Sequence, residues 1–144
     1  MILREIEVRY KFCKTNNFIT GQKLESPDLV YDIFSFLKYE SKERFIVINL
    51  NNQHAVMNYE TVASGTVNSV QLRPCEVLRT AIILNSPAVI LLHNHPSGVP
   101  EPSNSDIAFT KKVVKAGKLL GIEILDHVIV GENDFVSLKK RGAL

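Results

Sequence analysis

The sequence predicts an α/β chain built as an α+β sandwich, and three observations carry that prediction. Apolar segments of strand character alternate along the chain with three segments of helical spacing. Each helical segment opens on a start signal: Ser26-Pro27-Asp28, then Pro74, then Ser103-x-x-Asp106. At 144 residues, 45% hydrophobic and 22% charged, the chain has enough apolar surface for a sizeable core without staples. The reading is a single domain over residues 1–144, with an N-terminal strand and helix (about 1–40) packed onto the core.

The elements follow in order. "EIEVRYKF" alternates Ile6, Val8, Tyr10 and Phe12 with charged residues, the pattern of a half-buried strand. Residues 16–23 are polar and carry Gly21, so they connect. Ser26 then caps a helix, Pro27 takes its first position and Asp28 its acidic first turn. Beyond them Leu29, Ile33, Phe36 and Leu37 share one face. Residues 43–69 read as two or three strands, the first over 45–50, with Asn51-Asn52 as a hairpin turn. "RPCEVLRTAIILN" is helical, residues 85–87 punctuate, and "AVILLHNH" is a short buried strand. Pro96, Gly98, Pro100 and Pro102 make the next stretch a loop. Residues 103–120 form a helix with Gly121 as its C-cap, "IEILDHVIV" is a strand, and "FVSL" is an edge strand.

Charge and cysteine usage exclude several functions. A net charge of +2 is too mild to argue for nucleic acid. The run Lys139-Lys140-Arg141 reads as a solvated chain end. Cys13 and Cys75 lie far apart and outside any Cys-x-x-Cys pattern, which fits a reduced, cytoplasmic compartment. Arg4 and Glu5 stand where a signal peptide needs its apolar centre. The longest uncharged stretch, residues 80–100, is broken by Asn85, Ser86, Pro87 and two histidines, so no membrane span is expected.

The chemistry concentrates in "HNHPSGVPEPSNSD", residues 93–106. Residues i and i+2 of a strand point to one face, so His93 and His95 project together. Asp106 falls in the first turn of the next helix, and the proline-rich loop is long enough to fold that turn back over the strand end. Two imidazoles and a carboxylate with a fourth position open are the pattern of a catalytic zinc site. Such an ion lowers the pKa of bound water from about 15.7 to about 7. Ser103-x-x-Asp106 is at the same time a helix-start signature, and the two roles coexist: Ser103 caps while the turn presents Asp106.

This stretch resembles the His-x-His-Pro, six residues, Ser-x-x-Asp pattern of the JAB/MPN metalloenzymes, the JAMM motif, with residues 97–102 as the six. "VILLHNHPSGVPEPSNSDIAFTKKVVKAGKLLGIEILDHVIVG" is similar to the RadC-type branch of that family, and the likeness runs from Glu43 to the C-terminus. The resemblance implies a curved mixed sheet flanked by helices. It also implies Zn²⁺ held by His93, His95 and Asp106, with Ser103 stabilising the oxyanion of a tetrahedral intermediate. Its general base is a glutamate at the start of an upstream strand. Glu43 in "ERFIVINL" takes that place, with Glu76 as the rival and Glu40 and Glu60 behind. Pro96 would shape the turn after the strand. His127 in "LDHVIV" matches the RadC-type pattern too, but a lone histidine in an apolar strand reads first as a core residue, outside the ligand set. Asp126 points to the opposite face and is a candidate outer partner; His54, after a turn, reads as surface.

The expected function is a zinc-dependent hydrolase, a metalloprotease-like enzyme attacking a peptide or isopeptide bond of an unidentified protein or peptide. The alternative is a non-catalytic interaction module in a DNA-repair or mobile-element complex that retains the metal site. A nuclease is disfavoured, because residues 93–106 contain no Lys or Arg and Lys111 and Lys112 lie on the following helix. Longer RadC-type proteins carry a helical, nucleic-acid-associated segment before this domain. Here about 42 residues precede Glu43 and read as one strand and one helix, so DNA binding by that route is not expected. No residue supports the family's DNA-repair label. Monomer and dimer both stay open, and no membrane partner is expected.

Overall fold

The structure, a computed structural model, describes residues 1–15, 17–65 and 72–144. Strands β1 (Glu43–Leu50), β2 (Val56–Gly65), β3 (Ala88–Asn94), β4 (Glu123–Val130) and β5 (Phe135–Ser137) form one mixed sheet in the order β2-β1-β3-β4-β5. β3 and β4 run parallel and the other neighbours antiparallel. β3 is buried at every residue, as a central strand covered on both faces must be. Its period of two splits the side chains: Ala88, Ile90 and Leu92 enter one core, Val89 and Leu91 the other.

Helix α1 (Pro27–Ile33) and a 3-10 helix (Ser35–Tyr39) cover the first face, contributing Val30, Ile33, Phe34 and Leu37 to its core. Helices α2 (Pro74–Ile83) and α3 (Asn104–Leu120) cover the second, through Val77, Leu78, Ala81, Phe109 and Val113. The predicted α+β sandwich is therefore the observed architecture, with helices on both faces of the sheet. Among the described residues no helix is long and apolar enough to cross a membrane.

Two elements differ from the sequence reading. Residues 1–15 form no strand, and Ile2, Ile6 and Phe12 are 93%, 87% and 92% exposed. Alternation identifies a face that could be buried but says nothing about a neighbouring strand to accept the backbone hydrogen bonds. The segment is tied to the body by Tyr10, whose hydroxyl donates to Ile83 O at 2.7 Å. The second difference lies after Ser26, whose Oγ accepts from Leu29 N as predicted. The α-helix stops at Ile33 and the chain tightens into the 3-10 helix. Three residues per turn bring Phe34 and Leu37 inward together and leave Phe36 at the surface. The buried face is thus Val30, Ile33, Phe34 and Leu37 rather than the predicted set. The Asn51-Asn52 turn is a wider connection, in which Asn51 Oδ1 accepts from Gln53 N and Ala55 N and His54 takes the positive φ. Residues 66–69, the tail of the predicted strand region, lie outside the described residues.

The parallel β3–α3–β4 unit positions the site. Its crossover helix begins beyond the C-terminal end of β3, where crevices form in sheets of this kind.

Candidate metal centre

His93 is the penultimate residue of β3 and faces α3; its ring stacks on Phe45 of β1, 5.8 Å between centroids at 12°. His95 follows just past the strand, with its N–H still paired to Val130 O at 2.9 Å. That continued ladder keeps the two-residue alternation, so both imidazoles emerge on one side. Asp106 comes to them from the first turn of α3. Ser103 Oγ accepts from Asp106 N at 3.1 Å and Asp106 Oδ2 accepts from Ser103 N at 2.9 Å, the reciprocal capping predicted from Ser-x-x-Asp.

The ligand atoms of these three residues converge. His93 Nε2 and His95 Nε2 are 2.9 Å apart. Asp106 Oδ2 lies 3.3 Å from His95 Nε2 and 3.7 Å from His93 Nε2. Ligand atoms about 2.0–2.1 Å from a tetrahedral ion stand about 3.3–3.4 Å from one another, inside the observed spread. The donor chemistry fits as well. His95 Nδ1 lies 3.0 Å from Val99 O, a carbonyl that only accepts, so Nδ1 carries the proton and Nε2 offers its lone pair.

The electrostatics agree. The hydrogen bond to Asp106 raises His95 above the usual imidazole range against the effect of burial, helped by the Val99 carbonyl and the charges of Asp106 and Glu43. Burial would raise Asp106, but the two imidazoles and the Ser103 N–H outweigh it and hold the carboxyl far below its usual range. The site thus gathers an ionised carboxylate and two imidazole Nε2 atoms at a single point, where a metal ion would take the place of the proton that Asp106 favours on His95.

Loop 96–102 is held by close backbone packing. Gly98 takes a φ of +86° and donates its N–H to His95 O, while its carbonyl accepts from Glu132 N. A Cβ on Gly131 would lie 2.5 Å from Gly98 O, so only glycine permits this approach. Loop 96–102 also carries Val99, the residue that orients His95. Arg141 grips its far end with a bidentate pair to Glu101 at 2.5 and 2.8 Å.

Glu43 opens β1, and its charge reaches His95. Its flanking residues are clamped from β3: Asn94 Oδ1 accepts from Arg44 N at 2.8 Å, and Asn94 Nδ2 donates to Lys42 O at 3.1 Å. The asparagine between the two histidines therefore pins the backbone on either side of Glu43. The other acidic candidates sit elsewhere. Glu76 caps α2 by accepting from Arg73 N, Glu40 pairs with Arg44, and Glu60 pairs with Arg79. Asp126 faces away from the cluster and accepts from Ser137 Oγ and Lys139 N, bracing the C-terminal segment. His54 is half-buried, beside the opposite core. Cys13 and Cys75 are free and exposed.

Two further residues adjoin the cluster: His127, which the sequence reading places in the core outside the ligand set and the structure does too, and Thr110, which sequence reasoning missed. His127 is fully buried, with Nε2 2.7 Å from His93 Nδ1. Thr110, one helical turn after Asp106, lies 2.6 Å from His127 Nδ1 and donates to Asp106 O at 2.7 Å. The spacing Asp106-x-x-x-Thr110 was the available signal, since it sets both side chains on one helix face.

The RadC-like JAB domain family matches residues 24–143. The chain belongs to that family. Over 144 residues it is 41% identical to a UPF0758 protein of Alkaliphilus metalliredigens, covering 99% of this chain and 62% of the relative. UPF0758 proteins of Methanosarcina mazei and Desulfitobacterium hafniense are each 43% identical over 122 residues, covering 84% of this chain and 53% and 54% of theirs. The chain thus spans somewhat over half the length of these RadC-like relatives.

Proposed function

We propose that this RadC-like domain is a zinc-dependent hydrolase of the JAMM type that cleaves a peptide or isopeptide bond. The observation that carries the reading is the convergence of His93 Nε2, His95 Nε2 and Asp106 Oδ2 at the end of β3. Zinc held by such a set would keep a fourth position for water and make it a nucleophile near neutral pH.

The remaining roles fall to the chain's own groups. Glu43 is the proton acceptor; the Asn94 clamp and its electrostatic reach to His95 support that role, whereas Glu76 is engaged in capping α2. Ser103 Oγ accepts from Asp106 N with a lone pair to cap α3, and its other contact is the Ser105 hydroxyl at 3.0 Å, which can supply the proton of that pair and leave the Ser103 O–H to an oxyanion. Phe45, stacked on His93 and edge-on to His127, walls the histidines on their inner side, with Phe109 edge-on against Phe45, which strengthens the electrostatics there.

The test is hydrolysis of fluorogenic peptides and an isopeptide-linked substrate by zinc-loaded protein beside Glu43→Gln and Ser103→Ala. Glu43→Gln is expected to lower kcat by about 10²–10⁴ with zinc content intact. Ser103→Ala is expected to lower it by about 10²–10³. Full zinc occupancy with no turnover across such substrates would contradict the hydrolase reading and favour an interaction module that keeps its metal.

A further inference from the structure

We infer that His127 and Thr110 are positioning residues for the metal, forming a directed hydrogen-bond chain that forces His93 to present an unprotonated Nε2. The inference rests on the zinc reading above and adds two residues to it. Its direction follows from one acceptor. Asp106 O is a carbonyl and only accepts, so the Thr110 hydroxyl proton, 2.7 Å away, is committed to it. Thr110 Oγ1 must then accept from His127 at 2.6 Å, which places a proton on His127 Nδ1. His127 is wholly buried between the Thr110 hydroxyl and the His93 ring, neither of which brings a negative charge to balance a second proton on it. Its Nε2 therefore carries a lone pair and accepts from His93 Nδ1–H at 2.7 Å. A neutral His93 protonated at Nδ1 has its lone pair on Nε2, the atom that faces His95 Nε2 and Asp106 Oδ2.

The chain crosses three elements and closes on itself. It starts at a ligand on β3, passes through β4 and α3, and ends on the backbone of Asp106, a second ligand. His95 is oriented separately by Val99 O, so each imidazole has its own tautomer lock. Phe45 of β1 packs on His127 edge-on, its centroid 5.4 Å away, and fixes the plane of the ring.

The experiment reads tautomers and zinc affinity. In metal-free wild type, ¹⁵N chemical shifts should show His93 and His127 each protonated at Nδ1. Protonation of His93 at Nε2 would overturn the inference, whether or not zinc binds. Thr110→Val keeps the shape and removes the acceptor, freeing His127 to protonate Nε2 and drive His93 to the wrong tautomer. Zinc affinity, measured by competition with a chromophoric chelator, should then fall by about 10–100-fold, and Thr110→Ser should restore it. Unchanged affinity and unchanged His93 shifts in a folded Thr110→Val protein would also overturn the inference. Wild type that shows the expected tautomers yet binds no zinc would refute the hydrolase reading while leaving the chain of protons established.

Discussion

Asp106 carries two loads on one carboxylate: it caps α3 through Ser103 N and faces both imidazoles. The loads separate by substitution. Asp106→Asn retains an oxygen for the cap and should keep the helix while losing most zinc affinity. Asp106→Ala should lose zinc as well and about 1 kcal/mol of stability, read by denaturant unfolding. Asn94 is the converse case, a residue that touches no ligand atom but fixes the strand around Glu43. Asn94→Ala leaves Lys42 O and Arg44 N without their partner, which should cost about 1–3 kcal/mol and reduce turnover far more than zinc content. At this scale the clustering of His93, His95 and Asp106 was legible, because His-x-His on a strand and Ser-x-x-Asp at a helix start fix their geometry locally. The burial of His127 was legible too, but its contacts with His93 and Thr110 were not, because they depend on β3, β4 and α3 being neighbours. An isolated histidine in an apolar strand is the same word in a sequence whether it meets a ligand or a leucine.

Among the elements, β3 and α3 bring the ligands together, but loop 96–102 sets His95. Its conformation depends on the contact between Gly98 and Gly131, where an added Cβ would meet Gly98 O at 2.5 Å. Gly131→Ala should therefore displace the loop and lower stability by about 1–3 kcal/mol in denaturant unfolding. It should also weaken zinc binding, because Val99 O would move off His95 Nδ1. Helices α2 and α3 and all five strands announced themselves by capping signals or apolar period, and α3 ends at Gly121 in the left-handed region as predicted. The first segment did not. Its alternation is that of a strand, but pairing is a property of two segments, and residues 1–15 find no ladder in the described chain. The switch from α to 3-10 after Ile33 was hidden for a related reason, since both helices place apolar residues three apart.

Over the whole molecule, the sheet separates two cores and places the histidine cluster in the one shared with α2 and α3. The C-terminus is drawn to the site loop by Arg141 and Glu101, an exposed pair whose hydrogen bond to Arg141 lowers the Glu101 carboxyl below its usual range. A depressed carboxylate contributes stability that is full above the unfolded pKa and is lost as pH falls through the folded one. Arg141→Ala should therefore flatten the acid side of a stability-against-pH curve and, because the pair is exposed and screened, do so less at high salt. The α+β architecture was readable from the order of elements and the resemblance implied flanking helices, whereas which helix covers which face emerged only from packing. The metal centre is read out by zinc content per chain. The protein is purified without added metal, wild type beside His93→Ala and Asp106→Asn. About one zinc is expected in the wild type, lost in both variants. A folded wild type that takes up no zinc even when it is supplied would contradict the metal centre.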